Sequence, residues 1–212
     1  MGGVEKLNKI VLREYFIKGM VSFLSILTIF MCLYILGSSF TESITISILY
    51  VIAIISSSRY SVRLSNNLLM NIGGAMAPLI MAIAQTILLI PVIRLYEYIL
   101  LLTLSTFIVY LSSKYIPGKG IGIPLILPIV AISALVCLYI NLTDLSILYS
   151  IPIAYTIAVY STLIGADTLK ALELVKKNVK LEIGGERLLD LIILSSSIAP
   201  PITAALLIIG NQ

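Results

Sequence analysis

The sequence contains no histidine, only two cysteines and few charged residues, and each shortage removes a class of function. Without histidine there is no Ser-His or Cys-His nucleophile pair and no histidine metal site, which excludes rhomboid-like and zinc-dependent membrane proteases. Cys32 and Cys137 each lie inside an apolar run, so we expect two small buried side chains, with neither a disulfide framework nor a cysteine metal site. The sequence thus predicts no metal and no cofactor.

The shortage of charge excludes a soluble globular domain. Only 11% of the 212 residues are charged and 59% are hydrophobic, against roughly 25% and 45–50% in soluble domains, and the mean hydropathy is +1.11. The net charge of +4 does not indicate a nucleic-acid partner, because the basic residues lie beside apolar runs, where they set membrane orientation. The sequence therefore predicts a multi-pass protein of the cell membrane, with the lipid bilayer as its main partner.

Seven apolar runs are long enough to cross a bilayer as helices, which takes about 20 residues and fewer in short spans. None alternates polar and apolar residues as a membrane barrel strand would. The predicted fold class is all-α, a polytopic bundle of about seven transmembrane helices in a single domain, residues 1–212. The predicted spans are residues 19–37, 43–58, 74–93, 97–113, 121–140, 146–166 and 188–209.

The basic residues predict the orientation of these spans. With the N-terminus in the cytoplasm, the cytoplasmic segments hold all but one of the 14 lysines and arginines, the exception being Arg94. Residues 1–18 are then a cytoplasmic N-terminal segment, and residues 167–189 form the cytoplasmic loop between the last two spans. Asn141 begins a glycosylation acceptor pattern in an outer loop, and whether it is modified stays open.

Two aspartates are placed where a membrane protein seldom carries charge. Asp167 ends the sixth span and Asp190 begins the seventh, both on the cytoplasmic side. Such residues are costly in a membrane and point to a functional site. The alternative is that each is a plain interfacial residue paired three positions away, Asp167 with Lys170 and Asp190 with Arg187.

Glycines, prolines and polar residues gather at the same predicted depth as the two aspartates. They open the third, fifth and seventh spans, and small residues beside Asp167 allow another helix to approach. We expect them to surround one cavity open to the cytoplasm. The predicted cavity-lining residues are Gly165, Ala166, Asn71, Gly73, Gly74, Pro78, Gly184, Gly185 and Ser197.

Two carboxyl groups that share a proton can act as general acid and general base on a water molecule. Asp167 and Asp190 are therefore the candidate catalytic pair. The segment Gly165-Ala166-Asp167 resembles the Gly-x-Gly-Asp element of intramembrane aspartyl proteases, and more closely the Gly-Ala-Asp variant of archaeal prepilin and preflagellin peptidases. Ala77-Pro78-Leu79 is similar, in scrambled order, to the Pro-Ala-Leu element of presenilin. This resemblance implies an aspartic-type endopeptidase acting on a transmembrane or signal-type peptide.

A longer resemblance covers residue 66 to the C-terminus. The segments NIGGAMAPLI, PGKGIGIPLILP, IAYTIAVYSTLIGADTLKALEL and IGGERLLDLIIL resemble a prokaryotic membrane-protein family known as domain of unknown function 1614. Its motifs Gly-Thr-Leu-Ile-Gly-Ala-Asp and Gly-Gly-Ala-Gly-x-Phe-Asp-Gly match this chain at both aspartates. The chain departs from the second motif at Glu186, Arg187, Leu189 and Leu191. The resemblance supports the two aspartates and implies no reaction.

Two other functions stay open at this point. A proton- or cation-coupled transporter or channel could use the same carboxylates, with the glycine- and proline-rich segments as broken helix ends. A magnesium-dependent transferase of lipid-linked substrates could hold the ion on Asp167, Asp190 and Glu186, although there are few arginines to bind phosphates. The oligomeric state and the substrate also stay open.

Overall fold

The structure is a computed structural model that describes residues 2–116, 120–175 and 181–210. Within these ranges seven helices are long and apolar enough to span a membrane. The prediction of an all-α polytopic bundle is confirmed. Six residues of the basic and glycine-rich segments considered in the sequence analysis lie outside the described residues: Pro117, Gly118, Lys119, Lys176, Lys177 and Lys180.

The helices follow the apolar runs closely. Their bounds are α1 Gly2–Ile35, α2 Phe40–Ser57, α3 Ala77–Leu89, α4 Leu95–Ser112, α5 Ile126–Thr143, α6 Ser150–Ser161, α7 Lys170–Val175 and α8 Leu191–Gly210. Short segments of other helix types extend three of them: π-helices at Ile72–Met76 and Thr162–Leu169, and 3-10 turns at Ile147–Tyr149 and Arg187–Leu189.

The first, fifth and sixth spans differ most from the expected bounds. The fifth helix begins at Ile126 and not near residue 121, because residues 120–122 form a strand. The first helix begins at Gly2, because the charged N-terminal segment is rich in Leu, Lys, Glu and Arg, which are good helix formers. The sixth span does not end at Ala166: its helical path runs through the π-helix and α7 to Val175. Asp167 therefore lies inside a continuous helix and not in a loop.

The sixth span is the centre of the bundle. Two thirds of its membrane-spanning window is buried, the largest share of the seven. The helix α6 packs against α1, α3, α4, α5 and α8. Its neighbour α8 carries Asp190 at its start, so the two spans that hold the aspartates are in direct contact.

Short strands join the loops at one end of the bundle. Three of them, β1 (Ser61–Ser65), β2 (Leu68–Asn71) and β5 (Leu181–Ile183), form a sheet in the order β1-β2-β5. The pair β1–β2 is antiparallel and β2–β5 is parallel. A separate hairpin pairs β3 (Lys114–Ile116) with β4 (Gly120–Gly122). The β2–β5 pairing ties the loop after span two to the loop after span six, so both loops lie on the same side, as seven alternating spans require.

Candidate functional site

A cavity of about 680 Å³ lies at the end of the bundle that carries the strands. Its size is within the roughly 300–1,000 Å³ of ligand pockets. Four parts of the chain form its walls: the β3–β4 hairpin with the residues before α5, the helix after α6, the β5 loop and the start of α8. The lining residues are Tyr115, Ile121, Gly122, Ile123, Leu125, Asp167, Ala171, Leu181, Glu182, Ile183, Gly185, Glu186, Leu189, Asp190, Leu191 and Leu194.

Asp167 is placed in the cavity by the π-helix Thr162–Leu169, whose wider turn is typical of functional sites. Gly165 lies against the backbone of α4, where an added Cβ would be 2.6 Å from the Thr106 carbonyl oxygen. Ala166 is buried in the core. Gly165 and Ala166 both pack against other parts of the protein, whereas Asp167 lines the cavity.

Asp190 occupies the N-terminal cap of α8 and lines the same cavity. Its Oδ1 accepts a hydrogen bond from the Ile192 amide at 3.1 Å, and its carbonyl oxygen accepts one from the Leu194 amide at 2.9 Å. Capping satisfies amides that have no partner within the helix, and the positive end of the helix dipole favours a carboxylate there. Asp190 thus has a structural role besides any chemical one.

Neither aspartate forms a salt bridge with a cation among the described side chains. Lys170 pairs instead with Glu173 at 3.0 Å, and its ammonium lies 4.9 Å from the centre of the Tyr110 ring. The side chain of Arg187, the alternative partner of Asp190, lies outside the described residues. The structure therefore brings Asp167 and Asp190 to one cavity and separates Asp167 from its simplest cationic partner.

Burial raises the pKa of Asp190 to about 6, and the nearby Glu186 carboxylate acts in the same direction. The Ile192 and Glu186 amides oppose this shift because they donate hydrogen bonds to the carboxylate. A carboxyl with a pKa near 6 exchanges protons close to neutral pH, as a general acid or base must.

This raised pKa predicts how stability depends on pH. Because the folded protein holds the Asp190 proton more tightly than the unfolded chain does, the contribution of Asp190 is fully present below about pH 4 and is lost as pH rises through about 6. We expect a loss on the order of 2 kcal/mol across that window. Asp190→Asn should remove this part of the pH dependence, measured as thermal unfolding of the detergent-solubilised protein. An unchanged pH profile in that variant would contradict the assignment.

Of the nine residues expected to line the cavity, the structure places Gly185 on its wall and the others elsewhere. Gly73 packs on the α2 backbone and Gly74 on Gly184. Ser197 lies deeper, where its hydroxyl is 2.8 Å from that of Ser25 on α1. Pro78 is buried in the first turn of α3.

Asn71 supports the cavity wall from behind. Its Oδ1 accepts a hydrogen bond from the Gly74 amide at 2.8 Å and caps the π-helix. Its Nδ2 donates to the Ser58 carbonyl oxygen at 2.9 Å and to the Glu182 carboxylate at 3.4 Å. Asn71 therefore connects the start of span three to the β5 strand that lines the cavity.

Several lining residues were not predicted from the sequence. Tyr115 belongs to the β3–β4 hairpin and Glu182 to β5. Ile121 also lies in the hairpin, but as the predicted start of the fifth span it was expected at the cavity. The sequence signal for the hairpin was the Pro-Gly pair between two short apolar segments, which marks a reversal of the chain. Among the described residues no group of three acidic or cysteine side chains is gathered closely enough to hold a metal ion.

Comparison with known proteins identifies a family. No curated protein and no solved structure matches this chain. A family model does match residues 34–202, which begins earlier than the resemblance seen in the motifs and includes both aspartates. This match covers well over half of the chain, and the chain therefore belongs to the membrane-protein family described as protein of unknown function DUF1614.

Proposed function

We propose that this protein is an intramembrane aspartyl peptidase in which Asp167 and Asp190 form the catalytic pair. The observation that carries the proposal is that both aspartates line one cavity of about 680 Å³. An ion pair to a described cation would have favoured a structural role, and neither aspartate has one.

The chemistry needs one proton shared between the two carboxyl groups. The ionised aspartate takes a proton from a water molecule as the water oxygen attacks the peptide carbonyl carbon, and the protonated aspartate donates its proton to the carbonyl oxygen. The resulting diol collapses when a proton passes to the amide nitrogen and the carbon–nitrogen bond breaks. The pKa of Asp190, raised to about 6 by burial, suits such an exchange.

The cavity wall favours an extended peptide as substrate. Strand β5 is the last strand in the order β1-β2-β5, so its outer edge pairs with no strand of the described chain. All three of its residues line the cavity beside the aspartates. A free strand edge can pair with an extended peptide through main-chain hydrogen bonds. A transmembrane or signal-type peptide whose helix is opened at this depth could bind there.

A transporter of protons or cations is the second candidate, and one observation favours it. Gln85 on α3 is fully buried in the bundle, where its amide has only the Cys32 thiol, a weak hydrogen-bonding group, as a partner among the described residues. Buried polar groups inside a membrane often mark a path for ions or water. The magnesium-dependent transferase has less support, because the described acidic residues do not gather into a three-ligand site.

The experiment compares the purified protein with its Asp167→Asn and Asp190→Asn variants in liposomes that also contain the membrane fraction of the expression host. New peptide termini are identified by mass spectrometry, and the internal pH of the liposomes is followed with a dye. Termini produced only by the unchanged protein support the peptidase. The same termini with both variants would refute it, and aspartate-dependent proton flux without cleavage would favour the transporter.

A further inference from the structure

Two copies of the tripeptide Ile-Gly-Gly, Ile72–Gly74 and Ile183–Gly185, meet in the structure. A Cβ on Gly74 would overlap the carbonyl oxygen of Gly184. In the other direction, a Cβ on Gly184 would lie 2.8 Å from the amide nitrogen of Ala75 and from the carbonyl carbon of Gly74. Gly184 also has a φ of +71°, which side chains seldom adopt. Only glycine at both positions allows the two backbones to approach this closely.

Gly74, on the span-three side of this contact, is held firmly. It comes shortly after Met70, the last β2 residue that pairs with β5, where it lies opposite Ile183. Asn71 accepts a hydrogen bond from the Gly74 amide and donates to Glu182. Gly74 is thus fixed to the strand before it and presents its backbone to Gly184.

The other side of the contact leads directly to Asp190. After Gly184 come Gly185 and Glu186, both on the cavity wall, and a single 3-10 turn, Arg187–Leu189. The Leu189 amide donates to the Glu186 carbonyl oxygen at 3.2 Å, which closes this turn. Because this connection is short and closed by a hydrogen bond, a displacement of Gly184 would also displace Asp190.

We propose that the Gly74–Gly184 contact is a positioning device that holds Asp190 against the cavity, facing Asp167. Gly74 and Gly184 line no part of the cavity, so they are positioning residues and not catalytic ones. The proposal rests on the proposed function only for the chemical role of Asp190.

The test is the pH dependence with which a hydrophobic carbodiimide, a reagent for protonated carboxyl groups, modifies Asp190, read by mass spectrometry. The midpoint in the unchanged protein should be about 6, because burial raises the pKa of Asp190 to that value. The titratable groups that line the same cavity are Asp167, Glu182, Glu186 and Tyr115. Gly74→Ala and Gly184→Ala should each lower the midpoint by about one unit or more, because a displaced loop admits water to Asp190.

Gly73→Ala is the matched control. Its Cβ would overlap the Ile54 carbonyl oxygen on α2, so it disturbs packing next to Gly74 without meeting the Gly184 loop. Its midpoint should stay near 6, with size-exclusion elution confirming that each variant is folded. If Gly74→Ala does not fold, Gly184→Ala alone tests the proposal, because the loop that contains Gly184 can move without displacing a transmembrane span.

An unshifted midpoint in a folded Gly184→Ala or Gly74→Ala protein would overturn the proposal, and so would an equal shift in Gly73→Ala. The labelling does not depend on cleavage of any peptide. A shifted midpoint in a protein without peptidase activity would therefore keep the positioning role and remove the proposed function. If the midpoint is unshifted in the glycine variants and the unchanged protein cleaves peptides, the positioning role is removed and the proposed function is kept.

Discussion

Replacing Asp167 or Asp190 by asparagine should abolish peptide cleavage and leave the helical bundle folded. Asparagine keeps the shape of the side chain and removes the proton that a dyad must exchange. General acid–base catalysis contributes about 10²–10⁴-fold to a rate, so we expect each variant to lose about 10³-fold or more. Cleavage in liposomes gives the rate, and thermal unfolding shows whether the fold survives.

Two further variants separate catalysis from structure at these positions. In Asp190→Asn the new amide oxygen can still accept the Ile192 hydrogen bond as a helix cap, whereas Asp190→Ala loses it and should cost about 1 kcal/mol in stability beyond Asp190→Asn. Glu173→Gln changes an acid on the same helical path that lines no part of the cavity, and cleavage should continue. Asparagine variants that cleave at the normal rate would leave both aspartates as structural residues.

Gly165→Val should destabilise the protein by about 3 kcal/mol and reduce cleavage as well. The first added carbon would lie 2.6 Å from the Thr106 carbonyl oxygen and 3.1 Å from the Tyr110 amide nitrogen. These are backbone atoms of α4, which cannot rotate away as a side chain can, so the two helices must separate. The π-helix that presents Asp167 begins three residues earlier and would be displaced with them.

Gly19→Val is the matched control for this substitution. Gly19 also lies in a helix, but apart from the backbone of its own helix no described atom would lie within 4 Å of its added Cβ. Because valine is a slightly better helix former than glycine, this variant should be neutral or a little more stable. Thermal unfolding of both variants in the same detergent compares them. Equal behaviour of the two variants would show that the close approach at Gly165 contributes little.

The sequence was sufficient to predict the spans, because each depends mainly on a local run of apolar residues. It also indicated that Asp167 and Asp190 face one side, since alternating spans bring the end of one and the start of the next together. In the structure both aspartates line one cavity.

The glycines were harder to assign because glycine has two uses near a site. It can leave room for a ligand, as expected for Gly73 and Gly74, or allow two backbones to touch, as the structure shows for both. The choice depends on which segment lies opposite. For Gly73 this is the end of α2, and for Gly74 it is Gly184, more than one hundred residues away in the chain. The same reason hid the β2–β5 pairing, whose partners are equally distant.

The π-helix around Asp167 was also beyond prediction from the sequence. The local pattern, with Glu173 three residues after Lys170, suits an ordinary helix. One contact at this turn is tertiary, because Gly165 lies against the α4 backbone. Within the turn, the Thr168 hydroxyl donates to the Leu163 carbonyl oxygen five residues back, at 2.8 Å. Local propensity could not show that the helix continues beyond Asp167 through this wider turn.

The proximity of the two aspartates is the central claim, and a cross-link between cysteines at their positions tests it most directly. Asp167→Cys and Asp190→Cys are combined in a protein whose Cys32 and Cys137 are replaced by alanine, and a short bifunctional thiol reagent is added. We predict a linked pair of peptides from spans six and seven, found by mass spectrometry. The control pair replaces Ser197 in place of Asp190, and should not link because Ser197 contacts Ser25 on α1. Two cysteines that each react singly and never link would contradict the account.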